Sequence, residues 1–217
     1  MVDAAFFHSD IGEGFFFGGR NCARIWWNPV GQGEEKRWGP TKIVEKWPSF
    51  EKMRLGRVDA VLPVEGVATD AYFFFGSLVA RISIQSDETV QVIEEPVKIT
   101  DKWSALAEGG FDRIDTAVPI PRVPNTAYLF RGTQYIQLNV QSGEATRPRA
   151  FDQYWPGLKG AHFDSVDAAL PLPGYIDRIY FFKGSMYIIA KVNTGQPDVI
   201  TYGPASISTH WKTLDWA

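Results

Sequence analysis

The chain has 217 residues, a net charge of −3 with acids and bases interspersed, and a heavy aromatic load of 15 Phe, 8 Tyr and 8 Trp. That length can bury a substantial core, while the mixed charge gives neither the basic footprint of a nucleic-acid binder nor a polybasic segment for a membrane surface. No apolar run approaches the roughly 20 residues that span a bilayer, and Cys22 is the single cysteine, so no disulfide forms within the chain.

The first element is a short run of acidic, β-branched and small residues that the sequence writes four times. It reads Val2-Asp3-Ala4-Ala5, Val58-Asp59-Ala60-Val61, Ile114-Asp115-Thr116-Ala117 and Val166-Asp167-Ala168-Ala169. The aspartates follow one another at intervals of 56, 56 and 52 residues. A period of that size across a whole chain means repeat architecture. Such a run suits a strand in a place too crowded for large side chains.

An aromatic strand ending in glycine comes next in each unit, as in Ala71-Tyr72-Phe73-Phe74-Phe75-Gly76 and Ile179-Tyr180-Phe181-Phe182-Lys183-Gly184. The glycine marks a tight hairpin that needs positive φ. A third strand with every second residue apolar follows, such as Ala80-Arg81-Ile82-Ser83-Ile84. The unit closes on a segment running from proline to tryptophan: Pro40 to Trp47, Pro96 to Trp103, Pro148 to Trp155 and Pro204 to Trp211. Ile or Phe three residues after the proline shares a helical face with the Trp four further on. This predicts an edge strand, with proline at its entrance to the segment, and then a short helix whose Trp plugs the base of the unit.

Three strands, an edge strand and a terminal helix, four times over, predict an all-β, four-bladed propeller. The blades are expected at about 2–53, 54–109, 110–160 and 161–217. Aromatics of the second strands should pack between blades. The first unit carries a polar insertion, Asn28 to Arg37, and the third unit is the shortest.

Catalytic motifs are missing: no Gly-x-Ser-x-Gly, His-Glu-x-x-His, Walker loop or Gly-x-Gly-x-x-Gly occurs. Gly12-Glu13-Gly14 reads as a loop insertion, and the acids recur by repeat symmetry rather than as an unequal acid/base pair. The expectation is therefore a protein that is not an enzyme. His8 is placed in the first loop, His162 in the linker before the fourth unit, and His210 on an exposed helix face. Trp26 stands where the other units carry Ser83, Asn139 and Lys191, so it either stacks on a sugar ring or lies under its own insertion, the reading preferred here. Cys22 aligns with Val79, Tyr135 and Tyr187 and reads as core. A lone thiol fits a reducing compartment, and no basic and apolar leader precedes Asp3, so the expected location is cytoplasmic.

The Asp-Ala run, the aromatic-aromatic-x-Gly hairpin and the Pro-x-x-Ile/Phe segment ending in Trp resemble the hemopexin repeat family over nearly the whole chain. The Gly39-Pro40 and Tyr202-Gly203-Pro204 contexts look most like the plant albumin-2 type. Cys22 alone cannot make the disulfide that typically closes the animal members, so closure here must come from packing of the last blade on the first. The resemblance implies a central channel in which backbone oxygens of the innermost strands bind calcium, sodium or both. Its ligands would be Asp3, Asp59, Asp115 and Asp167, with a second ring of Ala5, Val61, Ala117 and Ala169. Hard oxygen donors suit calcium, and the small Ala4, Ala60, Thr116 and Ala168 would let the strands approach. The aspartate carboxylates themselves read better as turn caps.

The same acidic axis would attract a slender polyamine such as spermine, a ligand the albumin-2 resemblance implies, with haem as competitor. The alternative is a carbohydrate-binding lectin (a haemagglutinin), acting as a dimer.

Overall fold

The computed structural model describes residues 1–29 and 33–217, so the middle of the Asn28-to-Arg37 insertion lies outside the described residues. Four antiparallel sheets of four strands each follow one another along the chain, every one a meander ordered from the first strand outward. The first is β1 (Ala4–His8), β2 (Glu13–Gly18), β3 (Asn21–Trp27) and β4 (Glu34–Lys42). The second is β5 (Ala60–Pro63), β6 (Asp70–Phe75), β7 (Leu78–Ile84) and β8 (Val90–Lys98). The third is β9 (Thr116–Pro119), β10 (Thr126–Arg131), β11 (Gln134–Asn139) and the two-residue β12 (Arg149–Ala150). The fourth is β13 (Ala168–Pro171), β14 (Arg178–Lys183), β15 (Met186–Lys191) and β16 (Val199–Ser206). The strands β1, β5, β9 and β13 adjoin in a closed ring, each touching the next and β13 touching β1. This is a four-bladed β-propeller.

Each second and third strand is joined by a two-residue turn whose first residue is glycine: Gly19, Gly76, Gly132 and Gly184, all at φ between 54° and 59°. Left-handed φ at that place matches the twist of the flanking strands. Each outer strand runs into a single helical turn: α1 (Ile43–Lys46), α2 (Ile99–Lys102), α3 (Phe151–Tyr154) and α4 (Ile207–His210). The N–H of Trp47, Trp103, Trp155 and Trp211 donates to the carbonyl of Ile43, Ile99, Phe151 and Ile207 at 2.7–3.0 Å, so the sequence pairing of these residues is the helical turn itself. All four Trp and all four helix-opening residues are buried.

Proline stands at the entrance to the edge strand, as expected, only in the third blade, where Pro148 precedes β12; the other three depart from the expectation. Pro40, Pro96 and Pro204 lie inside β4, β8 and β16, where the register slips against β3, β7 and β15. A bulge leaves a backbone position without a ladder partner, which is where the missing N–H of proline costs nothing.

The core is divided among the four junctions between blades. Phe17 of β2 meets Phe73 of β6 edge-on at 5.9 Å, and Phe130 of β10 meets Phe181 of β14 at 6.3 Å. Closure is noncovalent: Val2, Ala5, Phe16 and Trp27 of the first blade pack with Leu170, Tyr180, Phe182 and Trp211 of the fourth. Among the described residues no helix is long and apolar enough to cross a membrane.

Candidate functional site

The ring of inner strands brings the four repeated aspartates to one end of the axis. Each backbone N–H donates to an aromatic residue's carbonyl near the end of its own second strand: Asp3 to Phe17, Asp59 to Phe74, Asp115 to Phe130 and Asp167 to Phe182, at 2.8–2.9 Å. Each carboxylate accepts from the hairpin glycine: Gly19 N–H to Asp3 at 2.8 Å, and Gly76, Gly132 and Gly184 to Asp59, Asp115 and Asp167 at 2.6 Å. The side chains therefore tie the inner strand to the turn, the capping role expected from sequence.

Three of the carboxylates still feel one another's charge. The Asp167 carboxyl is held above the ordinary carboxylate range by burial, and by the charges of Asp3 and Asp115, while the Gly184 N–H and Lys183 oppose the shift. Arg57 spans two blades at this end, with Nε 3.1 Å from Asp59 and Nη2 3.4 Å from Asp3. Nearer the core, Thr116 Oγ1 donates to the Val166 carbonyl at 2.9 Å, stitching the third blade to the fourth. Ala5, Val61, Ala117 and Ala169 are all buried on these strands.

Each inner strand is the edge of its sheet, so half of its backbone polar groups have no ladder partner and face the ring. Among the described residues no cluster of three or more His, Cys, Asp or Glu side chains is disposed to hold a metal. A cation here would be held by backbone oxygens, with the aspartates supplying the field.

The other sequence candidates separate. His8 is not in a loop: it ends β1, is 0% exposed, and neither ring nitrogen has a hydrogen-bond partner. The repeat pattern does not signal this, because the first inner strand is longer than the other three. Gly12-Glu13-Gly14 is not an insertion but the β1–β2 turn and the start of β2, with Gly12 at φ 66°. His162 and His210 are exposed. Cys22 is fully buried and its thiol is pushed up to about 12 by burial, which removes it as a nucleophile. Trp26 is 37% exposed; whether it lies under the insertion falls on residues outside those described.

Sequence reasoning missed a charge cluster between the first and second blades. Glu88, from the β7–β8 turn, reaches back across the junction to Arg24 at 2.5 Å, to Lys46, and to Trp38 Nε1 at 2.5 Å. Trp47 Nε1 donates to its carbonyl at 3.0 Å. Its partner Arg24 also pairs with Glu13, which pairs in turn with Arg37 at 2.7 Å.

No family model matches the sequence. A curated relative, Albumin-2 of Lathyrus sativus, is 24% identical over 217 residues, covering 98% of this chain and 95% of its own. A solved hemopexin-fold protein from cow pea superposes with a TM-score of 0.89 at 23% identity, over 99% of this chain and 97% of that one. A plant lectin from Cicer arietinum, described as having two metal-binding sites, gives a TM-score of 0.89 at 22% identity, over 98% of this chain and 96% of the other. At that identity the solved structures establish the fold.

Proposed function

We propose that this albumin-2-like hemopexin-fold chain is a non-catalytic binding protein that takes a cation on the axis of its ring, either a metal ion or an extended polyamine such as spermine. The observation that carries the reading is the ring itself: four unpaired strand edges surround one axis, and four aspartates crowd one end closely enough for Asp3 and Asp115 to raise Asp167. Backbone oxygens of Asp3, Asp59, Asp115 and Asp167, with those of Ala5, Val61, Ala117 and Ala169 deeper in, would hold calcium or sodium as hard oxygen donors do. A polyamine would use the same field through hydrogen bonds from its ammonium groups. The metal sites described for the Cicer arietinum lectin support this reading.

Haem finds less support, because His8 is enclosed in the core while His162, in the linker before the fourth blade, and His210, at the end of that blade, are exposed. A buried lone thiol is in keeping with a reducing, cytoplasmic location.

Thermal unfolding tests the axial site. Ligand bound to the folded state alone stabilises it, by about 2.7 kcal/mol at a hundredfold excess over Kd. Spermine should raise Tm, and calcium should compete with it. No shift with either up to millimolar concentration sinks the proposal.

A second reading, a glycan-binding lectin, is favoured by the 37% exposure of Trp26 and by the lectin among the solved relatives. It needs two copies of the chain to cross-link cells. Agglutination inhibited by a free sugar would support it, and a Trp26→Ser variant that agglutinates equally well would remove Trp26 from it.

A further inference from the structure

We propose that the groove between the fourth and first blades is a second binding site, for a six-membered ring bearing a carboxylate, of which an acidic sugar fits the lining best. The groove encloses about 750 Å³, within the usual range for a small-molecule site. Its floor is Trp27, Tyr180 and Trp211, and its walls include Tyr175, Tyr202 and His210. Aromatic faces of this kind stack on the apolar face of a pyranose, and their hydroxyls and ring nitrogens bond its polar edge.

The repeat supplies the comparison that identifies the ligand's charge. In each blade the face toward the next blade is built from four equivalent positions. In the second blade they are Asp70, Arg81, Glu94 and Lys102, which neutralise one another: Arg81 pairs with Asp70 at 2.7 Å and Lys102 pairs with Glu94. In the first blade Glu13 pairs with Arg24, and the Arg24–Trp38–Lys46 slot receives the carboxylate of Glu88 from the next blade. The fourth blade carries Arg178, Ile189, Tyr202 and His210 at these places, all four lining the groove. An arginine has replaced the acid, and an isoleucine has replaced the arginine that balanced it.

Arg178 makes no ion pair among the described residues; its guanidinium lies 4.4 Å over the Tyr175 ring. No described carboxylate enters the slot that corresponds to the one Glu88 fills, since Glu34 at the groove's end is bonded to Thr213 N–H at 3.1 Å and to Thr213 Oγ1 at 2.6 Å. At the floor, Trp27 is 5% exposed and its indole N–H meets the Tyr180 hydroxyl, though not in full hydrogen-bonding geometry. An uncompensated cation beside a groove of aromatic side chains describes a receptor for an anionic ring. The site stands apart from the axis and does not depend on the axial reading.

The test is calorimetric titration of the intact chain with glucuronate, with methyl glucoside as the neutral ring and benzoate as the aromatic acid. Glucuronate should bind at least tenfold more tightly than the glucoside. Arg178→Thr and Tyr202→Thr, which install the residues of the third blade at these places, should each weaken it about tenfold with little change in Tm. Spermine and calcium should not compete. Benzoate bound with the same Arg178 dependence, and glucuronate not at all, would keep the carboxylated ring and assign the aromatic acid as its source. Equal binding of acid and glucoside, indifference to both variants, or no saturable binding of either acid by 10 mM overturns the proposal.

Discussion

Trp38 Nε1 donates to the Glu88 carboxylate at 2.5 Å, joining the edge strand of the first blade to a turn of the second, 50 residues away in sequence. Glu88 sits at φ 67°, a backbone conformation that few side chains other than Gly, Asn and Asp accept. What holds it there is its set of partners, Lys46, Arg24 and Trp38, around a side chain only 16% exposed.

Glu88→Ala should therefore destabilise the ring by about 1–3 kcal/mol, because it leaves the half-buried Lys46 without its counter-ion and the Trp38 indole without its acceptor. Burial works against the charged form of Glu88, but the hydrogen bonds from Lys46, Arg24 and Trp38 prevail and hold its carboxyl below 4.5. A depressed folded value gives stability that is complete above the unfolded carboxyl range and is lost as pH falls through the folded value. Urea midpoints measured from pH 7 down to pH 3 should fall more steeply in the wild type than in Glu88→Gln. Parallel curves would contradict this account.

At the axis the sign is opposite. Asp167 is raised above 3.8, so its charged form opposes folding at neutral pH, and that penalty fades as pH falls through the raised value toward the unfolded one. Asp167→Asn keeps an oxygen for the Gly184 N–H and removes the charge. Its Tm at pH 7 should equal or exceed that of the wild type while the spermine-induced shift shrinks. A variant less stable than wild type with an unchanged spermine response would separate Asp167 from the axial field.

Arg57 already neutralises part of that field through Asp3 and Asp59. It is exposed and its pairs are weak, so its removal should cost little stability. Arg57→Ala should tighten spermine or calcium binding about threefold to tenfold by removing a competing cation. Weaker binding in the variant would mean that the guanidinium helps to shape the site.

His8 is the opposite of a functional histidine. Its two nitrogens are buried and unpartnered, with the Phe6 ring centroid 6.2 Å away, and an unsatisfied buried polar group destabilises by about 1–3 kcal/mol. His8→Leu should leave the fold intact and raise Tm. A lower Tm would show that the imidazole has a partner that matters.

Fold and site were unequally legible in the sequence. The repeat carried the architecture because each strand's job recurs four times: small residues at the ring, aromatics between blades, glycine at the turn and Trp at the base. The Asp-to-glycine bonds follow the same rule. Glu88 escaped because it belongs to no repeat position, and its partners lie on another blade, 42 to 64 residues away. Arg178 and Ile189 depart from the Glu13–Arg24 and Asp70–Arg81 pairs, but those pairs emerge only once the strands are in register. Their meaning appears only when Tyr202, His210 and Trp27 are seen to share their groove.

The bulges offer the sharpest test of the blade geometry. Gly39 and Gly203 stand at equivalent places, at φ 91° and 90°, each beside its third strand. A Cβ on Gly39 would lie 2.7 Å from the Cys22 carbonyl oxygen and 2.8 Å from the Ala23 Cα; one on Gly203 would lie 2.7 Å from the Tyr187 carbonyl oxygen. These neighbours are backbone and cannot swing aside. Backbone strain and overpacking each cost about 1–3 kcal/mol, so alanine at either glycine should cost about 3 kcal/mol or more. Gly56 meets nothing within 4 Å and has no positive φ, so Gly56→Ala should match the wild type in urea or exceed it slightly. If Gly39→Ala unfolds at the same urea concentration as Gly56→Ala, the outer strand does not lie against the third strand as described, and the edge of the groove that Tyr202 provides moves with it.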